Sequence, residues 1–309
     1  CTPGFICSLF EGYYRDDLHT HDDLDDQLSG NLCRCTGYRP IRDAAIEAFS
    51  RRRRGDESQI KDHEDDIFAE RLKQPTATLS SAQYQFASEK FFRPTSLAEL
   101  LQLKQKNPES ILIAGATELG LDITKRFKKF PTLISTEAVT ELKAIEPTKD
   151  EWRIGAAVTL TEIKNKLGQE FPALNNMLRV FGSRQIRNRA TMGGNIVTAS
   201  PIGDSAPVLL ALDANVVIAS LQGDRSLPIT EFFVSYRKTA LEPGEILKTI
   251  IIPRGQKTGL TRKCGWFKVS KRREMDISTV AGCFTVDLDS QNIVRHARLA
   301  FGGVAAMPM

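Results

Sequence analysis

Two cysteines one residue apart, in Gly30-Asn31-Leu32-Cys33-Arg34-Cys35-Thr36-Gly37-Tyr38-Arg39-Pro40, are the residues of this sequence best placed to do chemistry. From one glycine-bearing loop both thiols can face a shared inorganic centre, and they are poorly placed to bond each other. Cys1, heading Cys1-Thr2-Pro3-Gly4, is a third candidate. A two-iron two-sulfur cluster takes four thiolates, usually as two pairs. Zinc is the competing metal, although its structural cysteine pairs are normally separated by at least two residues, and inert thiols are the third reading. The chain opens where a second pair would end, so it is expected to be a fragment lacking its true N-terminus. Cys7, Cys264 and Cys283 lie in apolar surroundings and read as small buried hydrophobes. That clustering of the six cysteines does not suit a disulfide framework.

Two glycine-bearing loops are the next candidates. Ser110 to Ala114 reads as a short apolar strand running into Gly115-Ala116-Thr117-Glu118-Leu119-Gly120, an arrangement that lets a phosphate reach backbone amides. It is neither a Gly-x-Gly-x-x-Gly fingerprint nor a P-loop, since no Lys-Ser or Lys-Thr follows Gly120. The second loop runs from Arg189 to Asp204. Gly193 and Gly194 allow close backbone approach to a ligand; Thr191, Asn195, Thr198 and Ser200 supply neutral hydrogen-bonding groups, and Asp204 an acceptor suited to a sugar hydroxyl. The plainer reading is a polar turn before a helix over Ser205 to Leu212. No histidine reads as a catalytic base. His19, His21 and His63 lie in acidic polar segments, and His296 falls in an alternating strand pattern facing solvent.

The elements that must hold these residues follow from periodicity. Residues 1 to 54 read as helical: Thr2 caps a helix with Pro3 in its first turn and Ile6, Leu9, Phe10 and Tyr13 at helical spacing. Asp22 and Asp23 start a second helix with Leu24 and Leu28, ended by Gly30; Pro40 opens a third with Ile41, Ala45, Ala48 and Phe49 on one face. Side-by-side packing would gather the three cysteines. Residues 55 to 88 read as a flexible linker, most mobile near 55 to 65, with one amphipathic segment (Ile67, Phe68, Leu72) that suits a helix or a docking contact. From about Phe91 strands and helices alternate, Ser96-Leu97-Ala98-Glu99 being a capping box ahead of a face of Leu97, Leu100, Leu101 and Leu103. Strands over Ser278 to Asp287 and Val294 to Phe301 begin a third unit.

Composition narrows the class. A chain of 309 residues has room for about two domains, and no apolar run or leader-like pattern points to a membrane. Net charge +4 with a pI near 8.7 falls short of a nucleic-acid-binding protein. The dense run Arg51 to Arg54 reads as a solvated helix end, where cations suit the helix dipole. Neither nucleic acid nor membrane is expected as a partner, and the cytoplasm is the expected location.

The segments Cys1-Thr2-Pro3-Gly4-Phe5 and Gly30 to Ile41 resemble the helical iron–sulfur domain of the molybdenum hydroxylases, the family of xanthine dehydrogenase, aldehyde oxidase and carbon monoxide dehydrogenase. In the family's Cys-Gly-x-Cys pattern Cys1 matches the second cysteine, and a ferredoxin-like domain with another cluster stands upstream. The Gly115 loop and Gly193-Gly194-Asn195-Ile196-Val197-Thr198-Ala199-Ser200-Pro201 resemble the FAD domain of the same family, of the vanillyl-alcohol oxidase/p-cresol methylhydroxylase type. The resemblance implies a multidomain chain: an all-α iron–sulfur helical bundle domain over 1–54, a linker over 55–88, an α+β FAD-binding domain over 89–258, and the start of a C-terminal α+β flavoprotein domain over 259–309, truncated at both ends.

The same resemblance carries site residues with it. Cluster ligands would be Cys1, Cys33 and Cys35. Flavin contacts would be Leu112, Ile113, Ala114, Gly115, Ala116, Thr117, Glu118, Leu119, Phe181, Thr191, Met192, Gly193, Gly194, Asn195, Thr198, Asp204, Leu247 and Lys268. Phe181 and Leu247 also suit a core. Lys268, a charge in an apolar segment, calls for a partner such as a flavin or phosphate oxygen, and Glu118 either bonds cofactor or nicotinamide or caps a helix at Leu119. The implied function is electron transfer in the xanthine dehydrogenase manner: a molybdopterin site on a large partner subunit hydroxylates a purine, and electrons pass through 2Fe–2S clusters to FAD and on to NAD. The assembly would be a heterodimer or a dimer of heterodimers. Lys271-Arg272-Arg273-Glu274 would help bind NAD. An aldehyde oxidase or carbon monoxide dehydrogenase flavoprotein is the near alternative, the latter usually keeping cluster and flavin on separate chains; a non-redox zinc module is the distant one.

Overall fold

The computed structural model describes residues 1–54, 67–75, 77–254 and 259–309, without the side chains of 52–54. The mobility expected near residues 55 to 65, His63 included, falls outside the described residues. The chain divides into two compact units, Cys1–Thr78 and Leu79–Met309.

The first unit is helical: α1 (Thr2–Tyr13), α2 (His21–Leu28), α3 (Arg39–Arg54) and α4 (Ile67–Lys73). Thr20 and Asp23 close a reciprocal capping box on α2, and Gly30, at φ +85°, leads away from that helix. Phe5, Leu18, Leu24, Leu28, Ala45 and Phe49 form the core. On α1 the inward stripe is Phe5, Ser8 and Gly12, whereas Ile6 and Phe10 are exposed. Hydropathy misses that stripe because two of its members are not apolar. Ser8 accepts from Asn31 Nδ2 at 2.8 Å through its hydroxyl and from Gln27 Nε2 at 2.6 Å through its carbonyl. A Cβ on Gly12 would stand 3.1 Å from both Gln27 and Phe49, so the bare glycine lets α2 and α3 close in. Cys1, not Thr2, occupies the N-cap of α1, and Cys7 is exposed rather than buried. Within the stretch read as linker, α4 sets Phe68 edge-on to Phe10, ring centroids 5.4 Å apart.

The second unit opens with a hairpin, β1 (Ala82–Phe86) and β2 (Glu89–Arg93), whose first strand also lies within the stretch read as linker. Helix α5 (Leu97–Lys106) follows, Ser96 accepting from the Glu99 amide while the Glu99 carboxylate accepts from Thr95 N–H rather than from Ser96. Next come β3 (Ile111–Ile113), α6 (Leu119–Thr124) and β4 (Thr132–Ser135). These strands form a sheet ordered β1-β2-β4-β3, with β4 parallel to both β2 and β3. Leu100 and Leu101 of α5 pack with Ile134 and Leu142 beneath it.

A five-stranded antiparallel sheet comes next: β5 (Ile145–Pro147), β6 (Glu151–Gly155), β7 (Asn215–Ser220), β8 (Gly223–Pro228) and β11 (Ile246–Pro253), in the order β5-β6-β11-β7-β8. Val216 to Ala219 and Ile250 to Ile252 are buried on both faces, as continuous apolar runs in interior strands require. Polar β8 takes the edge. Between β6 and β7 lie α7 (Leu160–Leu167), α8 (Pro172–Val180), α9 (Arg184–Arg187), α10 (Met192–Val197) and α11 (Ser205–Ala211), which bury Leu160, Ile163, Leu174, Met177, Ile196 and Val208 in the main core. Helix α12 (Ile229–Phe232) and the short pair β9 (Phe233–Ser235) and β10 (Lys238–Thr239) precede β11. A final antiparallel sheet of β12 (Thr261–Val269), β13 (Val280–Leu288) and β14 (Val294–Gly302) joins the same core through Trp266, Cys283 and Ala300. Among the described residues no helix is long and apolar enough to cross a membrane.

Candidate functional site

At the end of β3 the chain turns sharply. Ala116 adopts φ +58°, a left-handed conformation uncommon for a residue bearing a Cβ, and Gly120 N–H returns to Ala116 O at 2.8 Å. A Cβ on Gly115 would lie 1.8 Å from Arg189 O, so this turn rests on the chain leading into Thr191. The second loop is fastened just as closely. Leu160 N–H donates to Ala190 O at 2.9 Å and Gly193 N–H to Ala156 O at 3.1 Å, while a Cβ on Gly193 would meet that same oxygen at 2.5 Å. Gly193 and Gly194 are therefore not an open loop. They form the first turn of α10, which Thr191 caps by accepting from Gly194 N–H at 3.0 Å. The bareness of Gly115 and Gly193 is used by protein backbone, and the ligand-facing surface is what those approaches leave between the loops.

That surface is concave. Leu112 to Leu119, Phe181, Ile186, Ala190, Thr191, Gly194, Asn195 and Thr198 line a cavity of about 300 Å³. A second cavity, of about 330 Å³, shares Leu112, Ala114, Glu118, Leu119, Gly194 and Thr198 with it and continues past Thr136, Ala156, Gly193, Glu245 and Leu247. Two polar atoms of the lining, Asn195 Oδ1 and Thr136 Oγ1, are buried without a protein partner. Leaving such an atom unsatisfied costs about 1–3 kcal/mol, a cost that a hydrogen-bonding ligand in the cavity would relieve. Phe181 is held at the wall because buried Arg187 donates to its carbonyl at 3.0 Å. Apolar walls with a few convergent polar groups suit an aromatic ring system, and the lining fits a flavin on this ground.

Three residues expected at the flavin do not line these two cavities. Met192 is buried in the main core. Asp204 and Lys268 bond each other: Lys268 Nζ donates to Asp204 Oδ2 at 3.0 Å and to Asp276 O at 2.8 Å, and Ser278 Oγ donates to the other Asp204 oxygen. The counter-charge expected of a cofactor oxygen is thus supplied by Asp204, as burial of both groups demands. Glu118 stands at the N-cap of α6 without capping it; it lines the cavity and pairs loosely with Arg237 at 3.6 Å. Lys271 to Glu274 form an exposed turn in which Arg272 N–H donates to Asp276 at 2.9 Å. Thr136, Ala156, Ala157 and Glu245 also line the cavity and belong to no motif in the sequence; the small run Gly155-Ala156-Ala157 after a strand is the signal that marks two of them.

In the first unit, Cys33 and Cys35 share one loop between α2 and α3. The first turn of α1 lies against it: Phe5 contacts the Tyr38 ring, and a Cβ on Gly4 would collide with Asn31 Oδ1 at 2.5 Å. The Cys33 sulfur lies 3.2 Å from the Thr36 hydroxyl. That hydroxyl first, then the Thr36 and Cys35 amides, hold the thiol below its usual range, which favours the thiolate a metal needs. Among the described residues no three Cys, His, Asp or Glu side chains stand close enough to hold a metal ion. Cys1, Cys33 and Cys35, expected to be gathered by helix packing, are therefore not drawn into one group; Cys33 and Cys35 share the loop, a pair of the kind a four-thiolate set uses, and Cys1 stands at the N-cap of α1.

The order of parts matches known proteins. Residues 84–255 match a family described as the FAD binding domain in molybdopterin dehydrogenase, residues 1–46 a 2Fe–2S binding domain, and residues 265–309 the C-terminal domain of carbon monoxide dehydrogenase flavoprotein. The chain belongs to the flavin-binding family of the molybdenum hydroxylases. Xanthine dehydrogenases of Emericella nidulans and Drosophila pseudoobscura are 30% and 33% identical to it, each over 99% of this chain and 26% of their own length. The chain thus spans about a quarter of these curated relatives. Among solved structures, a carbon monoxide dehydrogenase from Hydrogenophaga pseudoflava superposes with TM-score 0.66 and 25% identity, over 74% of this chain and 78% of that one. Quinoline 2-oxidoreductase from Pseudomonas putida gives 0.65 and 26%, over 73% and 77%.

Proposed function

We propose that this chain is the electron-transfer part of a xanthine dehydrogenase, binding FAD between the Gly115 and Gly193 loops and a 2Fe–2S cluster through Cys33, Cys35 and Cys1. The observation that carries the reading is the cavity wall: two segments far apart in sequence converge on it and leave Asn195 Oδ1 and Thr136 Oγ1 buried without partners. Bound flavin would supply two-electron chemistry and a one-electron outlet to the cluster. The protein's own work is positional. The Leu112–Leu119 backbone and α10 confine the ligand, Asn195 and Thr136 offer it hydrogen bonds, and Glu118 stands at the wall with Arg237 beside it. Asp204 and Lys268, bonded to each other, tie β12 to the start of α11.

The finer reading follows the relatives' names. Electrons would come from a molybdenum-bearing large subunit that oxidises xanthine to urate at molybdopterin, pass through two 2Fe–2S clusters in the intact subunit, and leave FAD to NAD in the cytoplasm. The exposed Lys271–Glu274 turn would help hold NAD. The assembly would be a heterodimer or a dimer of heterodimers. Purified intact protein is expected to show flavin absorbance and to contain iron, and to form NADH from xanthine once the large subunit is added. A colourless protein without iron would remove the proposal; xanthine-inert but aldehyde-active complex would shift it to an aldehyde oxidase.

A further inference from the structure

Strands β12 and β13 bring two thiols together away from the flavin cavity. Cys264 stands opposite Thr285 and Cys283 opposite Trp266 in the register, so the cysteines are diagonal neighbours, Sγ to Sγ 3.7 Å. Cys264 Sγ also accepts from Thr285 Oγ1 at 3.1 Å. Two positions along the strand, Arg262 adds positive charge. Cys283 is fully enclosed by the core. Cys264 instead opens onto a cavity of about 170 Å³ whose walls include Glu170, Phe171, Pro172, Arg254 and Arg262.

The charges around the sulfur favour its thiolate. Arg262 faces it from its own strand, Asp287 from β13, Arg254 from the end of β11 and Glu170 from the approach to α8. Asp287 is gripped by Arg262 at 2.8 and 3.1 Å, Glu170 by Arg254 at 2.8 and 3.1 Å, and Asp213, the next carboxylate out, by Arg298 at 2.6 Å. No acid there confronts the sulfur without its own cation. The hydrogen bond shared with Cys283 first, then donation from Thr285, with the nearby Arg262 charge, outweighs burial and holds Cys264 below its usual range, while Cys283, the more buried of the two, is pushed up.

We propose that Cys264 is a nucleophilic cysteine that takes small electrophiles, hydroperoxides foremost, through this cavity, with Cys283 and Thr285 positioning and stabilising its thiolate. In that reaction the sulfur attacks the outer peroxide oxygen and the O–O bond breaks. Sulfur is oxidised by two electrons to a sulfenic acid, the peroxide is reduced, and the departing alkoxide or hydroxide takes a proton from water to leave as alcohol or water.

The test is alkylation of the full chain by iodoacetamide between about pH 5 and about pH 9, followed peptide by peptide by mass spectrometry with exposed Cys7 as internal standard. The pH midpoint is the readout, because a low-pKa thiolate is also intrinsically less nucleophilic and bulk rates would blur the difference. Cys264 is expected to reach half its limiting rate well below the ordinary free-thiol value of about 8.5. Cys283→Ala and Thr285→Val each move the Cys264 midpoint upward with unchanged circular dichroism, which a purely structural contact would not do. Should Cys283→Ala not fold, Thr285→Val alone decides. In Cys283→Ala, where no neighbouring thiol stands 3.7 Å away to condense with a sulfenic acid, hydrogen peroxide followed by dimedone labels Cys264. An ordinary midpoint at Cys264, or no labelling there while Cys7 reacts, overturns the proposal.

Discussion

The cysteine loop of the first unit and the glycine cradle of the second solve the placement of a cofactor in opposite ways. In the loop, Cys33, Cys35, Thr36 and Tyr38 lie within six residues, the sulfur's hydrogen-bond donors are its own neighbours, and the side chains are largely exposed. In the cradle, backbone at Gly115 rests on Arg189, and backbone at Gly193 on Ala156. A local site asks little of the fold. An assembled site is the fold, so damage to it should reach both ligand and stability.

The largest expected effect is therefore at the cradle. Gly115→Val puts a side chain where the Arg189 carbonyl already sits; overpacking against backbone should cost about 3 kcal/mol or more and abolish flavin retention, read by thermal unfolding and by absorbance. Lys268→Met strands Asp204 as a buried charge, for a loss of about 3–5 kcal/mol; if the pair only braces the sheet, flavin affinity in the surviving folded protein stays near that of the parent. Asn195→Ala should separate ligand from fold, lowering flavin affinity roughly tenfold, about one hydrogen bond, with little change in melting temperature.

The cradle's rim offers a smaller effect with a pH signature. Arg225 grips Glu245 through Nε and Nη2, both at 2.7 Å, and holds its carboxyl below the usual carboxylate range. A depressed carboxylate contributes stability above its unfolded pKa, and that contribution is lost as pH falls through the folded value. Arg225→Ala should thus cost about 1 kcal/mol at neutral pH, and its denaturation midpoint should converge on the parent's below about pH 4. At the other extreme, Cys35→Ser in the exposed loop should change stability by no more than about 0.5 kcal/mol while iron content of the intact protein falls. A stability loss there as large as at Gly115 would erase the contrast between the two regions.

What could be read beforehand divides along the same line. The three N-terminal helices, the Ser96 cap, and the strands ending at Leu288 and Gly302 were legible because each rests on local periodicity or a capping pair. The inward face of α1 was not, because Ser8 and Gly12 are buried for what packs on them rather than for their own hydropathy. Likewise the charge of Lys268 announced a partner without saying which, and only the meeting of β12 with the start of α11 selected Asp204.

By itself the sequence determined the two cysteines that share a loop, the two glycine-bearing loops, and the apolar runs of β7 and β11. It thereby determined the family and the order of its parts. Tertiary structure alone decided what those residues face. Close approach is a relation between segments distant along the chain. Chain folding therefore assigned Gly115 and Gly193 to backbone contacts, left Asn195 Oδ1 and Thr136 Oγ1 buried without partners in residues that line the cavities, and set Cys264 beside Cys283.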